Sequence, residues 1–224
     1  MLNEVKMPVK LAETVFDTLY LCTAFGLAIF LIFRQFSPAS LQWQMGVSAL
    51  VLVLGDACHL IPRIGALWDK THANHSFSLG IGKMVSSLTM TLFYVGLWHI
   101  GAGFYDFQRT FSNTIILILA AVRLVLCILP QNRWTSPGGK PNRMALWRNI
   151  PFFLLGFAVI VLFLIGSIQK PSGPAFLWAA ILISFAFYIP VVLYSGRNPK
   201  IGMLMLPKSC TYIVIILMGF SFPR

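Results

Sequence analysis

Apolar residues fill seven long stretches of the chain almost without a break, and polar residues are confined to the short segments between them. The stretches run at about 11–33, 42–62, 78–99, 112–130, 147–168, 174–195 and 201–221. Each has roughly the twenty residues an α-helix needs to cross a hydrocarbon layer about 30 Å thick. In lipid a backbone must satisfy its own N–H and C=O groups, so runs of this length predict helices. The pattern predicts an all-α, polytopic integral membrane protein: one helical domain over 1–224, with about seven transmembrane helices and no soluble module. Helix breakers place the ends. Pro38 turns the chain after the first helix, Pro62 predicts the end of the second, and Pro130 stops the fourth. Pro137-Gly138-Gly139 and Pro141 mark the longest connection. Pro190, deep in the sixth stretch, predicts a kink and a freed carbonyl.

Six positions interrupt the apolar runs: Glu13, Asp17 and Asp56 against Lys83, Arg123 and Lys208. Each lies within about eight residues of a helix end on the same face, which at the α-helical rise is about 12 Å or less below that face. The opposite halves of these helices carry no formal charge. A charge at the centre of a membrane helix costs about 2.5–3.5 kcal/mol, and less nearer the interface. Six in one layer therefore predict a polar cavity open to, or just beneath, one membrane surface. Helical spacing sorts their neighbours. Glu13, Asp17 and Tyr20 share a face of the first helix, and Asp56, His59 and Arg63 share one of the second. Lys83, Ser86, Ser87, Thr91 and Tyr94 form a polar stripe on the third, and Thr211 and Tyr212 accompany Lys208 on the seventh. Trp98 and His99 mark the far interface.

Composition agrees with the pattern. Of 224 residues, 58% are hydrophobic and 10% charged, against about 25% charged in soluble domains. Loop lysines and arginines fix an expected orientation. Lys6, Lys10, Arg63, Lys70, Arg133, Lys140, Arg143, Arg148, Arg197 and Lys200 lie on the amino-terminal side, with Arg34, Arg109, Lys170 and Arg224 opposite. This bias predicts a multi-pass protein of the cell membrane, amino terminus in the cytoplasm and carboxyl terminus outside. Glu4, Lys6, Lys10 and Glu13 interrupt the region a cleaved signal peptide would need, so the first helix is expected to remain as an anchor. The net charge of +11 is spread over short loops, where anionic lipid headgroups explain it better than nucleic acid. Cys22, Cys58, Cys127 and Cys210 fall within apolar runs without CxxC spacing and are expected to be buried, reduced thiols. Asp69, His72 and His75 have a spacing that could recruit zinc in a loop. A solvated loop is the simpler reading, and neither a metal nor a cofactor is expected. A faint echo of Gly82-Lys83-Met84-Val85-Ser86 in Pro207-Lys208-Ser209-Cys210-Thr211 would fit an internal duplication, but Asp56 has no counterpart in the sixth helix.

The charged layer supports three functions. In the first, the protein binds a small amphiphile or lipid headgroup and extends to its hydrolysis. Asp56 and His59, one helical turn apart, then supply acid–base chemistry. Lys83, Arg123 and Lys208 hold negative charge, Glu13 and Asp17 balance and orient those cations, and Tyr94 and Tyr212 line the site. The partners are then membrane lipids and a small amphiphilic or anionic ligand. In the second, carboxylates exchange protons with a lysine as a small solute crosses, as in a proton-coupled transporter. In the third, three acids and three bases pair between helices and only fix the bundle. The apolar outer halves favour a one-sided site over a through-pathway.

The stretch Leu54-Gly55-Asp56-Ala57-Cys58-His59-Leu60-Ile61-Pro62 resembles the Gly-Asp motif of lysoplasmalogenase-like (YhhN-type) membrane hydrolases, with Gly82 and Tyr94 loosely similar to the helix that follows it there. The similarity covers about forty residues. The chain departs from that pattern in having seven stretches where eight are usual, Thr91 in place of a histidine, and no late Ser-Asp pair. What the resemblance implies is a site role for Asp56.

Overall fold

The computed structural model describes residues 7–69, 75–107, 110–136, 143–195 and 198–223. The described chain is all-α. Its helices are α1 (Met7–Arg34), α2 (Leu41–Trp68), α3 (Ser76–Phe104), α4 (Thr110–Ile128), α5 (Arg143–Gln169), α6 (Leu177–Tyr194) and α7 (Met205–Met218). A 3-10 turn, Pro199–Leu204, leads into α7, and another, Gly219–Ser221, follows it. By length and composition seven helices can each cross a membrane, the last counted from Ile201 to Ser221.

Helices adjacent in sequence pack on one another, and α7 returns to α1 and α2 to close the bundle. α3 is the most enclosed helix, against α2, α4 and α5, whereas α4 lies outermost. α4 still turns one stripe inward, Ile116, Ala120, Arg123 and Cys127, at the spacing of a single helical face. The bundle exterior exposes Phe25, Phe30, Leu117, Ile118, Val125, Phe157 and Ile165, an apolar surface that suits lipid.

α2 and α3 approach closely because glycine lines the seam. A Cβ on Gly55 would strike the Thr89 side chain, and one on Gly82 would strike the Cys58 carbonyl and the His59 Cα. This contact brings Asp56 and His59 against the start of α3.

Two expectations are corrected. Pro62 does not end the second helix; α2 runs on to Trp68. Proline removes the hydrogen bond that its own N–H would donate to the Cys58 carbonyl, and its ring crowds that carbonyl. That carbonyl is the one packed against Gly82, so the lost bond falls within a tight interhelical contact. The added turns are held to α1, where Trp68 Nε1 donates to Thr14 Oγ1 at 2.8 Å. Nor are all the cysteines buried. All four are free, but only Cys127 is enclosed, while Cys22, Cys58 and Cys210 lie on outward faces. An exterior of leucine, isoleucine and phenylalanine accommodates a thiol as readily as the core does. Pro190 sits inside α6, which continues to Tyr194.

Candidate functional site

A cavity of about 320 Å³ lies between the start of α1, the end of α2, the start of α3 and the turn that leads into α7. Its charged lining is Glu13, Asp17, Asp56, Arg63 and Lys208, with His59, Ser86, Ser209 and Tyr212 as further polar members. Phe16, Leu60, Met90, Met205 and Leu206 supply apolar wall. Val9 and Met203 also line it and are exposed, which marks an apolar mouth between α1 and the 3-10 turn.

Each acid has a different environment. Glu13 accepts from Arg63 Nε in an ion pair that joins α1 to the extended end of α2. Asp56 is held on both oxygens, Oδ1 accepting from Ser86 Oγ and Oδ2 from Tyr20 Oη, each at 2.7 Å. It thereby ties α1, α2 and α3 together. Asp17 is buried, at 4% exposure, and its Oδ2 has no hydrogen-bond partner. The same is true of His59 Nδ1 and Tyr212 Oη. Three residues that line one cavity thus each carry a buried polar atom without a partner, whereas buried polar groups in proteins are nearly always paired.

Lys208 is 3% exposed, and no described carboxylate lies within ion-pair distance of it. Its Nζ points at Met90 Sδ, 3.9 Å away, and sits over the rings of Tyr212 and Tyr188 at 4.4 and 4.9 Å. Aromatic faces attract a desolvated ammonium, so the lysine is held chiefly by rings and by the field of Asp56 across the cavity.

Of the residues expected at the site, Glu13, Asp17, Asp56, His59, Lys208 and Tyr212 come together at this cavity. Lys83, Arg123 and Tyr94 do not line it. Lys83 stands exposed on α3. Arg123, at 1% exposure, anchors a separate polar knot behind the cavity wall. Its Nε donates to Thr91 Oγ1 at 2.7 Å, and its Nη1 to Asn149 Oδ1 at 3.2 Å and to the Arg148 carbonyl at 3.3 Å. Its guanidinium carbon stands 3.7 Å over the Phe152 ring. Tyr94 is locked edge-on among Phe93, Phe152 and Phe185 in the core. Its hydroxyl lies close to those of Ser184 and Tyr212, but neither Ser184 Oγ nor Tyr212 Oη makes a hydrogen bond of good geometry.

Tyr188 joins the two centres: its ring faces Lys208, and its hydroxyl donates to Asn149 Oδ1 at 2.9 Å. Sequence reasoning missed Arg63 as a site residue because Pro62 argued for a helix end, although the i, i+3, i+7 spacing from Asp56 carried the signal. It also missed Asn149, for which no local signal exists; a single asparagine near a helix start reads as a solvated position.

Among the described residues no group of three histidine, cysteine or acidic side chains is placed to hold a metal ion. In the loop after α2, His75 Nε2 pairs with Asp69 Oδ2 at 2.7 Å, and His72 lies outside the described residues. No protein-family model matches the chain, and no curated protein or solved structure matches it.

Proposed function

We propose that the chain spans the membrane seven times, with its amino terminus in the cytoplasm, and that its cavity binds the head of a small amphiphile. The single observation that carries this reading is the set of unpartnered atoms, Asp17 Oδ2, His59 Nδ1 and Tyr212 Oη, around one cavity. Burying such groups without partners costs free energy that a bound head group recovers. The mouth formed by Val9 and Met203 suits a ligand whose tail stays in an apolar phase. The volume is at the lower end of small-molecule sites.

Division of labour follows from what each side chain is free to do. Asp56, with both oxygens occupied, positions Tyr20 and Ser86 and faces Lys208 as a fixed negative charge. His59 Nδ1 is the free base. A ligand ester beside it is open to hydrolysis: water adds to the acyl carbon as Nδ1 takes its proton, the acyl C–O bond breaks, and the imidazolium returns that proton to the departing alkoxide, which leaves as the alcohol. The resemblance of the Gly55-Asp56 segment to membrane hydrolases is consistent with this extension. Transport is the weaker reading, because Ala24, Ala28, Leu31, Ala49, Leu52 and Phe93 fill the bundle beyond the cavity with close-packed apolar side chains.

Mass spectrometry of lipid extracts from protein purified through delipidating washes tests the binding. Wild type should retain an amphiphile that an Ala12→Trp variant, blocked at the rim of the cavity, has lost. Equal profiles in both would exclude occupancy of this site.

A further inference from the structure

We infer that the head group this cavity takes is a cation, an organic ammonium, with Asp17 as its counter-ion. The inference rests on the amphiphile reading above and narrows it. Among the described residues the cavity is lined by three carboxylates, Glu13, Asp17 and Asp56, and two cations, Arg63 and Lys208. Arg123 and Lys83, which would have made the lining basic, are outside it. Glu13 is engaged by Arg63. Asp56 already accepts from Tyr20 and Ser86, one bond on each oxygen, and has Lys208 as its nearby cation. Asp17 remains, lining the cavity at 4% exposure, and its Oδ2 has no hydrogen-bond partner.

A buried carboxylate without a partner is among the costliest arrangements in a protein interior. An ammonium donating to Asp17 Oδ2 removes that cost and balances the lining. Tyr212, whose hydroxyl lies close to that of Tyr94, adds a polar oxygen to the lining, and Phe16 and Met90 on the wall suit the apolar surface of a substituted amine. An anionic head group would find Lys208 already facing Asp56, and would add negative charge to a lining that has one in excess.

The test is isothermal titration of the full chain in a nonionic detergent with three probes of one chain length: hexylammonium, hexyl sulfate and hexanol. The ammonium should bind at least tenfold more tightly than the other two. Asp17→Asn should weaken it about tenfold. Lys208→Met, which removes a repelling charge, should leave its binding equal or tighter, and this second variant keeps the test open if Asp17→Asn fails to fold. Saturable binding of the sulfate or the alcohol in preference, lost in Ala12→Trp, would overturn the cationic assignment and keep the amphiphile site. Absence of binding by all three would remove both.

Discussion

Asp56 and Asp17 should respond oppositely to neutralisation. Asp56 accepts from Tyr20, 2% exposed, and Ser86, 8% exposed. Asp56→Ala leaves both hydroxyls buried without an acceptor, at about 1–3 kcal/mol each, and thermal unfolding in detergent should show a clear loss. Asp17 satisfies nothing on its bare oxygen, so Asp17→Asn should leave the ligand-free protein as stable as wild type or more so. A loss as large as that of Asp56→Ala would mean that Asp17 is part of the scaffold. Arg123 differs again: a planar guanidinium bonds to Thr91 and Asn149 while stacking on Phe152. Arg123→Lys keeps the charge but neither the fork nor the stack, and unfolding should move down by about 1–3 kcal/mol, the range for lost hydrogen bonds of buried polar groups.

At the scale of elements, the seam between α2 and α3 sets the site. The Cβ of a residue at position 82 would meet backbone, the Cys58 carbonyl and the His59 Cα, which cannot swing aside as a side chain can. Gly82→Val should therefore destabilise by about 1–3 kcal/mol, the usual cost of overpacking, and should weaken ligand retention by displacing His59. The clasp between α1 and α2 is milder. Arg63 is 39% exposed and Glu13 15%, so a double-mutant cycle of Glu13→Gln and Arg63→Gln should give a coupling of about 1 kcal/mol or less. How much of this was legible differs between the two contacts. The glycines were visible, but not what lay opposite them. Pro62 was visible, and its usual meaning pointed the wrong way, because a helix anchored at both ends by tertiary contacts tolerates one missing hydrogen bond.

For the whole molecule, the proposed orientation decides which compartment the cavity serves. Ser37, between α1 and α2, and Ser136, after α4, are both exposed and lie at opposite ends of the bundle. With the native cysteines replaced, Ser37→Cys should react with a membrane-impermeant maleimide on intact cells, and Ser136→Cys only after permeabilisation. The inverse pattern would place the mouth of the cavity outside the cell and move its ligand to the external phase.

The sequence by itself determined the number of helices, their approximate limits and where along each helix its charges fall. These properties are local: an apolar run sets a helix, and a rise of about 1.5 Å per residue turns sequence position into depth. Only the tertiary structure decided which charges share a cavity. Depth does not tell which neighbour a side chain meets, because direction around a helix axis acquires meaning only when the helices pack. The approach at Gly55 and Gly82 put Asp56 beside Ser86, and closure of α7 onto α1 brought Lys208 into the cavity with Asp17. α4, packed outside α3 and α5, sent Arg123 to Thr91 and Asn149 instead. Charges balanced at three acids and three bases along the chain thus became a cavity with, among the described residues, three acids and two bases, because partners in a bundle are chosen by packing between segments distant in sequence.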